Sequence, residues 1–119
     1  AARTVQTADL VLRELEGPPR PDYRDTLYLA PAGKILDLIQ ATPPRAEAVM
    51  VIGHNPGLEE LAAFLAREPV RRKERERRGV LEEKFPTCAL AVLEFEMDRW
   101  RDIQPGEGAL VDFVRPRDL

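Results

Sequence analysis

Apolar and polar positions change period several times along the 119-residue chain. Val5, Ala8, Leu12 and Leu15 recur at helical spacing, with Arg13, Glu14 and Glu16 off that stripe. The spacing predicts an amphipathic helix over residues 4–15, stopped by Gly17-Pro18-Pro19. Residues 20–24 read as a polar connection, and Thr26-Leu27-Tyr28-Leu29 as a short β-like stretch. Pro31 then opens a second helix over residues 32–41, with Ile35, Leu36, Leu38 and Ile39 on its apolar side and Thr42-Pro43-Pro44 at its end. Residues 49–52, Val-Met-Val-Ile, form a continuous apolar run of the kind found in a strand covered on both faces. A third helix is predicted over residues 56–66, burying Leu58, Leu61, Ala62 and Leu65. Residues 89–95, 100–103 and 109–114 are strand-like and spaced as a meander, with Gly106 and Gly108 in the last turn. The order is helix, strand, helix, strand, helix, then several strands. It predicts an α/β fold with a mostly parallel sheet and an antiparallel C-terminal part, in a single domain over residues 1–119.

Residues 68–84 break the pattern. Arg71-Arg72-Lys73-Glu74-Arg75-Glu76-Arg77-Arg78 is a dense charge run. Its two readings are a solvated helix face or mobile loop, and a binding patch whose field is partly cancelled by the interleaved glutamates. The net charge of −3 excludes a broadly basic nucleic-acid binder. Cys88, the chain's single cysteine, has no partner for an internal disulfide or a zinc site; its apolar surroundings predict a small buried residue. No apolar stretch approaches the roughly 20 residues of a membrane span, and no signal peptide is visible, so the expected location is the cytoplasm.

Chemistry concentrates in two places. In Gly53-His54-Asn55-Pro56, Gly53 would supply backbone freedom, Asn55 an N-cap and Pro56 the first helical position. His54, the chain's only histidine, would lie at a strand's carboxyl end and a helix's amino end, where ligands and anions bind in open α/β sheets. The alternative is a turn histidine without a chemical role. The second place is Arg3-Thr4-Val5-Gln6-Thr7, where Arg3 offers a planar fork matched to phosphate oxygens. If both helix starts meet at one rim, Arg3, His54 and unpaired backbone N–H groups would suit a phosphoryl group.

Arg3-Thr4-Val5-Gln6-Thr7-Ala8 resembles the R-[TA]-x-Q-T-A segment of the histidine phosphatase superfamily, also called phosphoglycerate mutase-like. Val51-Ile52-Gly53-His54-Asn55-Pro56-Gly57 resembles its second-histidine motif. The SixA-type phosphohistidine phosphatase branch is the nearer likeness, through Leu27-Tyr28-x-Ala30, Phe85-Pro86-Thr87-Cys88-Ala89-Leu90-Ala91 and Val111-Asp112-Phe113-Val114-Arg115-Pro116. The resemblance implies a three-layer α/β/α fold and two-step phosphoryl transfer. A histidine in an Arg-His-Gly motif takes the phosphoryl group, and water releases it. Arg3 would match a phosphate-binding arginine and His54 the second histidine, with Asn55 beside the phosphate. No metal or cofactor is implied, since arginines and histidines neutralise the charge.

The chain holds no Arg-His-Gly motif and opens inside another motif. The expectation is an N-terminally truncated domain that lacks the family's first strand and helix and is inactive alone. No carboxylate follows the Leu27-Tyr28 stretch at the place of the family's proton donor, and Asp37 falls on the polar side of its helix. An alkoxide leaving group, whose conjugate acid is about as weak as water at about 15.7, needs such a donor. An imidazole, near about 6.5, needs far less. The expected substrate is therefore phosphohistidine in a protein. The alternatives are a small-molecule phosphomonoesterase of the same superfamily and a phospho-binding module without turnover. No nucleic acid or membrane partner is expected.

Overall fold

The structure, a computed structural model, describes residues 2–119. In chain order it contains α1 (Ala2–Arg13), α2 (Ala32–Gln40), α3 (Gly57–Leu65), α4 (Arg72–Glu83), β1 (Leu90–Glu94) and β2 (Ala109–Val114). Single 3-10 turns lie at Asp25–Leu27, Trp100–Asp102 and Pro116–Asp118. β1 and β2 pair antiparallel, Leu90 opposite Val114 and Glu94 opposite Ala109, with a register irregularity between Val92 and Leu93.

Two packed groups hold these elements. In the first, Ile35, Leu36 and Ile39 of α2 meet Leu61 and Leu65 of α3 and Ile103. In the second, Ala62 of α3 meets Leu81 of α4, Phe85 and Leu110 of β2. Leu58 and Leu93 border both groups, so α3 joins them. The short helices depend on this packing, because isolated helices of about ten residues are marginal in water.

The antiparallel C-terminal part is as the pattern predicts; the parallel part is not seen. The described residues hold one parallel contact, an isolated bridge between Ala66 and Gly108. Its geometry is tight: the Gly108 N–H donates to the Leu65 carbonyl at 2.8 Å and the Arg67 N–H to the Gly108 carbonyl at 2.7 Å. A Cβ at Gly108 would lie 2.6 Å from the Phe95 ring and 3.0 Å from the Leu65 carbonyl.

Three expected strands are absent for separate reasons. Residues 26–29 close local turns instead: Tyr28 N–H donates to the Asp25 carbonyl, Ala30 N–H to Leu27, and Leu29 takes a left-handed φ of +54°. Residues 100–103 form a turn fixed by side chains. The Trp100 indole N–H donates to the Ala46 carbonyl and the Gln40 amide to the Ile103 carbonyl, each at 2.7 Å. Residues 49–52 have no neighbouring strand among the described residues, and Val49 and Met50 are exposed rather than covered on both faces. A strand needs a ladder partner, and β1 and β2 are paired with each other.

The charge run is helical and docked. Glu74 is 5 % exposed, with its carboxylate against the Arg67 guanidinium at 2.9 and 3.0 Å and the Val70 N–H at 3.3 Å. Cys88 also departs from expectation: it is exposed, at a φ of +61°, because the turn at residues 87–88 carries it outward before β1 begins. No helix among the described residues is long and apolar enough to cross a membrane.

Candidate functional site

His54 lies on the irregular segment leading into α3 and is half-buried. Val51, earlier on this segment, packs against the first apolar group. On the other side, the Asn55 amide group donates to the Phe85 carbonyl, and its oxygen accepts the Glu59 N–H at 3.1 Å. Asn55 thus satisfies one of the orphan N–H groups at the amino end of α3, although the helix begins after Pro56 rather than at it. The Asn55–Pro56 peptide bond is cis. The two hydrogen bonds of Asn55 use its oxygen and one N–H of its amide group, which carries a second N–H.

Glycine matters here at Gly57 rather than Gly53. Gly53 has no left-handed φ, and a Cβ there would make ordinary contact with Leu58 at 3.7 Å. A Cβ at Gly57 would come within 2.8 Å of the Ala30 carbonyl oxygen. The start of α3 therefore abuts the backbone just before α2. Tyr28, two residues before Ala30, stands edge-on to the His54 ring, with centroids 6.1 Å apart and planes at 88°. This is a favourable aromatic geometry.

The amino end of α1 reaches the same place. Thr4 Oγ1 and His54 Nε2 share a hydrogen bond of 3.0 Å. Arg3 precedes Thr4 and is exposed; its carbonyl accepts the Thr7 hydroxyl at 2.9 Å. The two segments singled out by sequence therefore meet, through Thr4 rather than Arg3. The guanidinium of Arg3 has no ion-pair partner among the described residues. The first turn of α3, which follows His54 in the chain, carries Glu59 and Glu60. Thr4 and Tyr28 were not among the sequence candidates. Their only signal was membership of the motifs that carry the resemblance.

Two clefts lie elsewhere. One of 270 Å³ is lined by Lys73, Glu76, Arg77, Val80, Phe113, Arg115 and Asp118. Another of 300 Å³ adjoins it, sharing Val80 and Arg115. Within this region Arg115 and Asp118 form a two-point ion pair at 2.9 and 3.1 Å, which holds the Asp118 carboxyl below its usual range. None of Arg3, His54 and Asn55 lines either cleft. The described residues contain no cluster of three histidine, cysteine or carboxylate side chains placed to hold a metal ion.

The chain matches the uncharacterized protein Rv1276c of Mycobacterium tuberculosis (strain ATCC 25618 / H37Rv) and the uncharacterized protein MT1313 of strain CDC 1551 / Oshkosh. Identity to each is 33 % over 117 residues, covering 98 % of this chain and 70 % of the relative. The chain belongs to their family. Close to a third of each mycobacterial relative lies outside the match. No family model matches the chain. No solved structure matches it significantly.

Proposed function

We propose that this chain is part of a SixA-type histidine phosphatase that removes the phosphoryl group from phosphohistidine in a protein. One observation carries the reading: the Thr4–His54 hydrogen bond joins two segments 50 residues apart, each resembling a phosphate-handling motif of that superfamily. In this reading the domain is a three-layer α/β/α unit working in the cytoplasm. The nucleophilic histidine belongs to an Arg-His-Gly motif in the full-length protein, outside these 119 residues. The N–P bond of the substrate breaks as a new N–P bond forms to that histidine, and the departing imidazole takes up a proton. Water then attacks phosphorus, releasing phosphate and restoring the enzyme. Arg3 holds the phosphoryl oxygens as a fork, and His54 donates to them as charge shifts in the transition state. Asn55 fixes the turn that presents His54 through its two hydrogen bonds, and its second amide N–H is the donor it offers the phosphate.

Kinetics of the full-length protein on a phosphohistidine peptide and on p-nitrophenyl phosphate test this. His54→Ala is expected to lower turnover by on the order of a hundredfold, as loss of one oxyanion donor does. Arg3→Ala is expected to weaken inhibition by phosphate and vanadate, without rescue by Arg3→Lys. Near-normal turnover of His54→Ala, or a full-length sequence without Arg-His-Gly, would overturn the reading.

A further inference from the structure

Thr4 and Thr7 sit one turn apart on α1 and use their hydroxyls differently. Thr7 donates to the Arg3 carbonyl within its own helix at 2.9 Å, the common local use of a helical threonine. Thr4 reaches across 50 residues to the His54 ring at 3.0 Å. His54 sits on a segment without a strand partner, and its carbonyl accepts a long bond from the Leu58 N–H at 3.4 Å, which restrains the backbone but not the ring. Its ring is bounded by Thr4 at Nε2 and by the edge-on ring of Tyr28, itself 62 % exposed. Thr4 is thus the polar side chain that fixes the imidazole.

We infer that Thr4 is a positioning residue: its hydroxyl orients the His54 imidazole, and it affects anion binding and turnover only through that ring. A hydroxyl both donates and accepts, so Thr4 keeps the bond whether Nε2 carries a proton or not. The histidine is therefore held in place before an anion arrives and while charge shifts on the phosphoryl group, which lowers the reorganisation needed at the moment of transfer. The catalytic role of His54 rests on the function proposed above; the hold of Thr4 on the ring does not.

Full-length protein carrying Thr4→Val, Thr4→Ser, His54→Ala and the Thr4→Val/His54→Ala pair tests the inference, with vanadate as the anion probe. Side-chain nitrogen NMR of His54 reads the hold directly. Thr4→Val is expected to shift the Nε2 resonance and Thr4→Ser to restore it. In kinetics, Thr4→Val is expected to reduce turnover and vanadate affinity by roughly tenfold, the scale of one neutral hydrogen bond. Thr4→Ser is expected to recover most of that, and Thr4→Val to add nothing once His54 is alanine. An Nε2 resonance unmoved by Thr4→Val would overturn the inference. So would a Thr4→Val effect that persists in the His54→Ala background. If the protein shows no turnover and no vanadate binding while the Nε2 shift and its rescue appear, the proposed function fails and the positioning stands.

Discussion

α1 and α4 are the same length, 12 residues each, and their sequences point in opposite directions. α1 carries an apolar stripe against a polar face. α4 opens with Arg-Lys-Glu-Arg-Glu-Arg-Arg and holds few apolar residues. In the structure α1 buries Ala8, while Val5 and Leu10 stay exposed. α4 buries Leu81 to 1 % exposure and Glu74 to 5 %, and lies against β2. An amphipathic stripe indicates which face of a helix would dock; it does not supply the surface. α4 has one, made by Phe85, Ala62 and Leu110. α1 makes no comparable interface with another described element, and its one side-chain link to the site is Thr4.

The largest effect is expected where α4 enters the second apolar group. Leu81→Ala removes a side chain closed in by Ala62, Phe85 and Leu110, and is expected to cost about 2–5 kcal/mol in denaturant unfolding of the full-length protein. A cost no larger than that of an exposed substitution would erase the contrast between the helices.

Glu74 comes next and sharpens the contrast, because it tests whether a charged residue docks α4. The Arg67 side chain, then the Val70 and Arg71 backbone, hold the Glu74 carboxyl down to about 2 against desolvation, which opposes them. A folded-state value below the unfolded 4.5 means stability present above pH 4.5 and lost as pH falls toward 2. Glu74→Gln is therefore expected to be less stable than the native protein at neutral pH, by less than Leu81→Ala, since Arg67 remains about a third exposed. That gap should close as the solution is acidified from 4.5 toward 2. Unfolding midpoints of both proteins across that range measure it. A gap independent of pH would show that Glu74 acts by shape alone.

The sequence marks element ends well where punctuation is local. Pro31 and Thr42-Pro43-Pro44 bracket α2, and Gly106 with Gly108 precedes β2, whose bounds match the expected 109–114. It fails where the outcome depends on a distant neighbour. The stretches at 26–29, 49–52 and 100–103 all look strand-like, because their apolar residues report on packing; whether a ladder forms depends on what lies alongside. Glu74 is hidden inside a charge run because its partner, Arg67, lies outside that run, seven residues back in the α3–α4 link, where no helix periodicity applies. The candidate site follows the same rule. The place of the turn before α3 and the bond of Asn55 to that helix are local and can be read directly; that Gly57 rather than Gly53 is the tight glycine depends on the Ala30 carbonyl and cannot. Thr4 and Tyr28 join His54 only because the chain returns to the same place, which no spacing discloses.

The smallest effect should fall on the exposed face of α1. Leu10 is 60 % exposed, so most of its side chain keeps its water contact in the folded protein. Leu10→Ala then removes little buried surface, leaves no closed cavity, and replaces one strong helix former with a stronger one. The expected change in unfolding free energy of the full-length protein is within about 0.5 kcal/mol, the range of substitutions away from packed or bonded features. On the function proposed above, turnover should be unchanged, since Leu10 lies well along α1 from Thr4, the link to His54. The measurement is a denaturation midpoint paired with a rate on p-nitrophenyl phosphate. A loss near that of Leu81→Ala would mean that this face of α1 is covered in the full-length protein. The two helices would then differ in what covers them, not in whether they dock.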